Sequence, residues 1–541
     1  MRTDSSVLVS SSKYLDSAIL RDWIATHYLR RSGLDYIDFS DNYVLNSELA
    51  RLRDDAEVDA LIARQRGIDP AFDRWMAERH LSRIDVSQLG TCAPGSVGAR
   101  YLEHIRAMGI EVDVGFRFAV RSDYDYLVMR QSEIHDFEHI VCGGQFNMPG
   151  EMPPVWATIV NAFVHLAPEL AGALNLRNIL GTQRWVVRSV LHYPHCVASV
   201  LEGIDHGIRV GLASDPLYLA RYEQVLHMTP ARARTHLGVR EAVEMDSHAA
   251  GLRYGEPDPD GVRDRIWAED TAAGIPYIKR GRRPLTTDSS RRVSSSKYLN
   301  DPRLRDWVST HFLRRNGPDL PPAADLVELD EALGPLRDGE CVQALLEREA
   351  HSNPAVARWI HECMTWPAAP SGAAGPHPES LGTLAAAHCR AKAENPRGAD
   401  APLALFENQR ARAARFEACE RLLVGAGFDT LGEVRLHWAR LSNAFRHLSP
   451  ELAGALCVPT VLAAYRLVHR AMLHYPRAWL TIVQAIRDGY RIGMASECLA
   501  TLPCEAVLHL PLDEARTRLG IRAVGPPVET RSMSAIFDGS A

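Results

Sequence analysis

Apolar side chains recur at three- and four-residue intervals through most of this chain. Residues 16–31 set Ile19, Leu20, Trp23, Ile24, Tyr28 and Leu29 on one stripe, the spacing of an amphipathic helix. Residues 155–167 and 183–204 follow the same period. Start and stop signals agree with it. In "LAPELAGAL", Pro168 stands at a first helical position with Glu169 behind it in the positively polarised first turn. "TPARARTHLG" opens on Thr229 as N-cap, continues with Pro230 and closes on Gly238. Runs that alternate apolar and polar residues are few, so the pattern predicts an all-α fold.

The pattern also comes twice. "SSSKYLDSAILRDWIATHYLRR" (10–31) returns as "SSSKYLNDPRLRDWVSTHFLRR" (294–315), and "WATIVNAFVHLAPELAGAL" (156–174) as "WARLSNAFRHLSPELAGAL" (438–456). "RSVLHYP" (188–194) returns as "RAMLHYP" (470–476), and "VLHMTPARARTHLGV" (225–239) as "VLHLPLDEARTRLGI" (507–521). The shift is 284 residues near the start (297 − 13) and 282 later (438 − 156). A period that long predicts two copies of a whole domain rather than a solenoid. The expected layout is a first domain over 1–245, a Gly-, Pro- and charge-rich linker over 246–290, a second copy over 291–524 and a tail over 525–541. The two copies are expected to pack as a pseudo-dimer within one chain, with tethered independent domains as the alternative. The Ala/Pro/Gly-rich stretch 366–402 of the second copy reads as loop.

Composition narrows the function classes. The 541 residues are 46% hydrophobic and 24% charged, with a net charge of −6: a folded protein of more than one domain, with no basic excess for nucleic acid. The N-terminus lacks the charge and apolar core of a secretory signal. No apolar run is read as reaching the roughly 18 residues that span a bilayer. Ten cysteines are scattered without a Cys-x-x-Cys pair, which reads as reduced thiols in a cytoplasm.

One stretch stands apart: "HDFEHIVCGGQFNMPGE", residues 135–151. On a helix, His135 and His139 lie one turn apart on one face, the spacing at which two imidazoles share a metal ion. Asp136 sits about 100° around the helix; it can join the sphere from the edge or hold a histidine as a supporting acceptor. Gly143, Gly144, Pro149 and Gly150 let the chain turn back, so that Glu151 returns as an oxygen ligand. The competing reading is a set of solvated polar residues before a turn. The second copy weighs against it. Aligned back from Trp438, His135 becomes Glu417, Asp136 becomes Ala418, His139 becomes Arg421, and only Glu151 keeps its type, as Glu433. One working centre and one degenerate centre are expected. Two nitrogens with carboxylate oxygens suit Zn²⁺ first, with Fe²⁺ or Mn²⁺ as alternatives. A His-Asp phosphohydrolase cage, completed by His104 and Asp205, ranks lower because it leaves His139 and Glu151 unused.

His-Asp-x-x-His, eleven residues, then Glu resembles the signature of the coenzyme Q (ubiquinone) biosynthesis protein 4 family. The flanks "RQSEIHDFEHIVCGG" and "EQVLHMTPARARTHLGV" look like that family's motif helix and closing segment. The resemblance covers roughly 10–240 and, in degenerate form, 294–522. It implies an all-α, dimerising protein that works beside membranes on prenylated aromatic precursors, with His135, Asp136, His139 and Glu151 as its metal ligands. The implied chemistry is loss of a ring carboxylate and its replacement by hydroxyl. Three features depart from the family's pattern: the tandem fusion, Glu138 where an aromatic residue is usual, and a shorter match around the glycine turn. They point to a specialised branch whose aromatic acid need not be a ubiquinone intermediate.

Two side chains are the candidates for catalytic contact. Arg130 could meet a substrate carboxylate, against the reading of a solvated face shared with Glu133. Tyr126, like Tyr124, could stack on an aromatic ring, against the reading of core packing. Cys142 is a further candidate ligand. His192, His474, Glu169 and Glu451 occur in both copies and read as structural. The expected partner is a small or prenylated aromatic substrate, with no nucleic acid, in the cytoplasm or peripheral to the inner membrane, where the protein could contact other biosynthetic enzymes. The sequence carries two function classes forward: a metal-dependent oxidative decarboxylase or hydroxylase, and a non-catalytic lipid- or quinone-binding scaffold with a structural metal.

Overall fold

The computed structural model describes residues 10–31, 40–82, 84, 86–107, 120–247, 296–315, 323–365, 379–381, 383–385, 387, 416–427 and 429–522. The expected linker from 248 onward, the tail 525–541 and most of 366–402 lie outside the described residues. Among the described residues the fold is helical, with an isolated bridge between Ser380 and Pro511 and no strand.

The helices that position the site are α1 (Ala18–Leu29), α2 (Val97–Ala107), α3 (Asp123–Cys142), α4 (Met152–His165), α5 (Pro168–His192), α6 (Val197–Ala213), α7 (Pro302–Leu313), α8 (Thr430–His447), α9 (Pro450–His474) and α10 (Trp479–Ala495). Their boundaries follow local chemistry. Helix α3 begins at Ser122, whose hydroxyl accepts from the Asp125 amide, and Asp123 and Asp125 occupy its positively polarised first turn. It ends at Gly143, whose φ of +82° is the left-handed turn that favours glycine. Helix α5 starts on Pro168 and runs 25 residues, and α9 starts on Pro450 and runs the same length.

The largest hydrophobic core runs through both halves of the chain, from Trp23 and Trp156 to Trp307 and Trp479, and each half has a smaller core of its own among the described residues. Helix α5 packs on α9, and α1 on α7. Contacts across this seam come in matched pairs. The Ser12 hydroxyl donates to the Leu313 carbonyl at 3.0 Å, and the Ser296 hydroxyl to the Leu29 carbonyl at 2.6 Å. The Tyr14 ring lies 5.6 Å from that of His474, and the Tyr298 ring 5.6 Å from that of His192. At the centre, the Tyr28 hydroxyl donates to the Leu180 carbonyl at 2.8 Å and accepts from His469 at 2.7 Å.

His192 and His474 each donate a ring N–H to the last carbonyl of a neighbouring helix, Leu29 and Leu313, at 3.1 and 2.9 Å. That satisfies an orphan acceptor at a helix end. It agrees with the structural role read from their presence in both copies. Burial lowers both imidazoles to about 4 and His469 to about 3. Their folded values lie below the unfolded value near 6.5, so the unfolded chain binds more protons between about pH 4 and pH 6.5. Stability therefore rises with pH across that window. The urea midpoint is expected to fall steadily as pH drops from about 6.5 to about 4, and the double substitution His192→Gln, His474→Gln to flatten the slope. A slope that both proteins share would place the acid sensitivity elsewhere.

One expectation is corrected here. Helix α9 is long and apolar enough to cross a membrane, although the sequence was expected to hold no such run. Interruption by Pro459, Arg466 and Arg470 hid it. In this fold 78% of its apolar window is buried, which is also how the central helix of a packed core looks.

Candidate metal centre

Helix α3 carries the motif, and its C-terminal end is held from several sides. Arg234 donates to the Val141 and Ile140 carbonyls at 2.8 and 3.3 Å, and His206 to the Cys142 carbonyl at 2.8 Å. Charged and polar donors there satisfy the helix's last acceptors and complement its dipole. Beyond Gly143 the chain makes a tight loop. Asn147 accepts the Gly150 amide with its side chain at 2.8 Å and the Glu151 amide with its carbonyl at 3.0 Å. A Cβ on Gly150 would lie 2.0 Å from the Gln145 carbonyl oxygen, so this turn closes only with glycine. The segment 243–247 crosses the loop from outside. The Met245 amide donates to the Gly143 carbonyl at 3.0 Å, and Ser247 donates to the side chains of Gln145 and Asn147 at 3.0 and 2.8 Å.

This scaffold brings His135, His139 and Glu151 together, with one ligand atom from each lying within 4.8 Å of the others. Both Nε2 atoms face the same carboxylate oxygen of Glu151, at 3.2 Å from His135 and 3.3 Å from His139. The rings sit 5.0 Å apart and nearly perpendicular, as the one-turn spacing predicts. His139 donates its Nδ1 proton to the Gln145 carbonyl at 3.1 Å, which leaves its Nε2 lone pair free to point into the cluster. Phe146 stacks on the His139 ring at 4.8 Å, and His104 of α2 stacks on Phe146 at 3.6 Å. His135 Nδ1 faces Glu138 Oε2 at 3.9 Å. The His135 side chain keeps 33% exposure against 2% for His139, so the cluster opens to solvent on its side.

The electrostatics fit a cation. Burial works against charging the His135 imidazole, but the carboxylates of Glu151, Asp136 and Glu138 outweigh it and raise it to about 9. Glu151 is held well below the usual carboxylate range: burial opposes this, and His139 and His135 overcome it. Burial pushes the Glu138 carboxyl up to about 7. Two imidazole nitrogens and a carboxylate oxygen at this spacing are a donor set for a divalent transition metal.

The other sequence candidates fall elsewhere. Asp136 turns away from the cluster and accepts from the Tyr101 hydroxyl at 2.9 Å. Arg130 is fully buried, donating to Ser82 at 2.6 Å, to Glu133 at 3.0 Å and to the Ala220 carbonyl. Five residues from His135, it sits about 140° around the helix and reaches neither solvent nor the cluster. Tyr126 is about 180° from His135; its hydroxyl donates to the His80 carbonyl at 2.8 Å and its ring packs against Trp75. Tyr124 lies under the Arg53 guanidinium. The Cys142 thiol is buried in the core, where burial pushes it well above its ordinary value. Asp205 pairs with Arg209 at 3.2 Å and His104 stacks on Phe146, so the alternative phosphohydrolase cage is not assembled.

The corresponding place in the C-terminal half has another solution. Arg421 pairs with Glu417 at 3.0 Å and donates to the Gly427 carbonyl at 3.1 Å. Glu433 accepts from the buried Arg466 at 2.7 Å and from His437 at 3.3 Å. Guanidinium groups thus balance both carboxylates there. Arg516 donates to the Leu422 and Leu423 carbonyls at 2.8 and 2.9 Å, as Arg234 does to Ile140 and Val141. Sequence reasoning missed the role of these arginines, although "TPARARTHLG" and its repeat place them at matching positions.

Comparison with known proteins points to the same segment. The rat mitochondrial ubiquinone biosynthesis protein COQ4 homolog is 32% identical over 93 residues, which cover 16% of this chain and 35% of the rat protein. The homolog of the same name from Drosophila erecta is 29% identical over 127 residues, covering 22% of this chain and 46% of that protein. The chain thus spans between a third and a half of these curated relatives. Their names place those proteins in mitochondria, which gives no support to the cytoplasmic location expected from the sequence. A crystal structure of a protein assigned to ubiquinone biosynthesis in Nostoc punctiforme covers 38% of this chain and 96% of its own at 20% identity, with a TM-score of 0.29, too low for comparing folds. Residues 76–242, which hold the whole His135–Glu151 cluster, match the family model described as Coenzyme Q (ubiquinone) biosynthesis protein Coq4.

Proposed function

We propose that the N-terminal half is a metal-dependent enzyme that oxidatively decarboxylates and hydroxylates an electron-rich, hydroxylated aromatic ring. The observation that carries this reading is the convergence of two Nε2 atoms on one Glu151 oxygen, on a side open to solvent. Three protein ligands leave a position of the metal free for a substrate oxygen or water, whereas a structural site is closed by four. That favours the enzyme over the scaffold. When bound, the metal would supply Lewis-acid stabilisation of a phenolate or carboxylate on the ring.

The chain's own residues supply the rest. His135 and His139 would hold the cation, and Glu151 would offset part of its charge. Gln145 fixes the His139 tautomer through its carbonyl. Phe146 and His104 close one side, leaving approach along the His135 edge. A divalent ion would take both imidazoles in their neutral form, so its binding would weaken as pH falls. Replacing a ring carboxylate by hydroxyl is a two-electron oxidation, for which dioxygen is the expected oxidant. Zinc, iron(II) and manganese(II) all suit two imidazoles and a carboxylate.

The sequence repeat and the matched contacts across the α5–α9 seam support reading the whole chain as a fused pseudo-dimer with one competent centre. In this reading the Arg421–Glu417 and Glu433–Arg466 pairs replace the metal of the second copy. The substrate is a small or prenylated aromatic acid, and contact with a membrane surface or with other biosynthetic enzymes belongs to the same proposal.

Metal analysis of the purified chain is the first test, with about one divalent ion per chain expected. Incubation in air with hydroxylated aromatic acids should then give a product with hydroxyl in place of carboxyl, detected by mass spectrometry and lost on chelation. Turnover that survives complete chelation refutes the metal role. A metal-loaded chain with all four positions filled by protein turns the reading to the scaffold.

A further inference from the structure

Glu138 is one turn from His135, 1% exposed, and not among the ligand residues. Its Oε2 faces His135 Nδ1 at 3.9 Å and accepts from the Thr158 hydroxyl at 2.9 Å. Its Oε1 is buried without a hydrogen-bond partner, and so is Oε1 of Gln131. Both side chains, with Thr158 and Asn161, line a cavity between α3 and α4 that is just large enough for one water molecule and is otherwise walled mainly by apolar groups such as Leu127 and Ile134. A buried carboxylate of this kind is ordinarily paired with a cation.

The C-terminal half pairs it. Position 420 aligns with 138 and position 440 with 158 in the sequence repeat. There the Glu420 carboxylate takes two hydrogen bonds from the Arg440 guanidinium, at 2.9 and 2.5 Å. The half with the convergent ligands has Thr158 in place of that arginine. The half without them keeps the protein's own cation.

We propose that Glu138 is a positioning residue of the metal centre: its carboxylate acts on His135 from the Nδ1 side, and its charge is balanced by the metal ion, which is why position 158 carries no arginine. The inference rests on the metal reading above. The Glu138 carboxylate lies 3.9 Å from Nδ1 of His135, beyond hydrogen-bond range, so it acts on that imidazole by charge, whereas the Gln145 carbonyl accepts the Nδ1 proton of His139 directly. Thr158 holds the carboxylate by one neutral hydrogen bond and leaves its charge to the metal.

The test is zinc affinity, measured by competition with a chelator on the full chain, beside the helical circular dichroism and melting temperature of each variant. Glu138→Gln keeps the volume and can keep the Thr158 hydrogen bond; its affinity should fall by about 10–100-fold with the helical signal unchanged. Thr158→Arg reproduces the Glu420–Arg440 pair and adds a competing cation; its affinity should fall at least as far. Thr158→Val should bind zinc within about threefold of the unsubstituted chain, because the carboxylate remains. Folded Glu138→Gln that binds zinc as tightly as the unsubstituted chain overturns the proposal and leaves the metal reading intact. An unsubstituted chain that binds no zinc, iron or manganese overturns both. Should Thr158→Arg fail to fold, Glu138→Gln decides alone.

Discussion

His139→Ala should empty the metal centre while the helical fold stands. The substitution removes one of two nitrogen donors from a three-ligand set and leaves His135 and Glu151 to hold the ion alone. Losing a supporting group near a metal already costs 10–100-fold in affinity, so loss of a ligand should exceed roughly 100-fold. The structural cost is smaller. His139 is buried against Phe146, and its removal leaves a void and an unpaired Gln145 carbonyl, about 2–4 kcal/mol together. That is survivable for a core of this size. Metal content after dialysis against chelator, read beside circular dichroism, checks both halves of the expectation. A folded His139→Ala chain that keeps a stoichiometric ion would mean that the ion sits elsewhere. Arg421→Ala, at the aligned position of the other half, should leave metal content untouched.

Arg466→Met should have the opposite profile: large loss of stability with the metal site retained. The Arg466 guanidinium is fully buried between two carboxylates, 2.7 Å from Glu433 and 3.5 Å from Asp325. Methionine fills much of the volume but takes from Glu433 its closest cation in the core, while Asp325 keeps Arg314 and Arg470. Breaking a buried pair from one side costs about 3–5 kcal/mol. The urea midpoint should fall accordingly, and a second substitution, Glu433→Gln, should recover part of the loss by removing the stranded charge. A drop under about 1 kcal/mol would show that Arg314 and Arg470, which also reach Asp325, carry the balance without it.

How much of this could be read from the sequence depended on whether the partner lay within one turn or far along the chain. The His135–His139 pair was legible because a helix fixes the distance between i and i+4. The return of Glu151 was legible because Gly150 and Pro149 announce a turn. Asp136 was placed among the ligands because spacing alone allows it, but Tyr101, 35 residues upstream, claims its carboxylate. Arg130 and Tyr126 are substrate candidates by residue type, but the period of the helix sets them on its far side from His135, where Ser82, Glu133 and the His80 and Ala220 carbonyls engage them. In the sequence Glu138 stands out only as a departure from a resembling family; the role proposed for it needs the contrast between Thr158 and Arg440 together with their contacts. The charge replacement in the C-terminal half was visible as a change of residue types, but that Arg466 would answer Glu433 was not, because 33 residues and a helix reversal separate them.

The crossing of segment 243–247 over the 143–150 loop has a practical consequence. The matched family segment stops at residue 242, so a fragment trimmed to that boundary would lose the buckle made by Met245 and Ser247. Gln145, which steadies His139, and Asn147, which anchors the amides of Gly150 and Glu151, would lose their outer fastening. Such a minimal fragment is a poor reagent for judging what the intact chain binds.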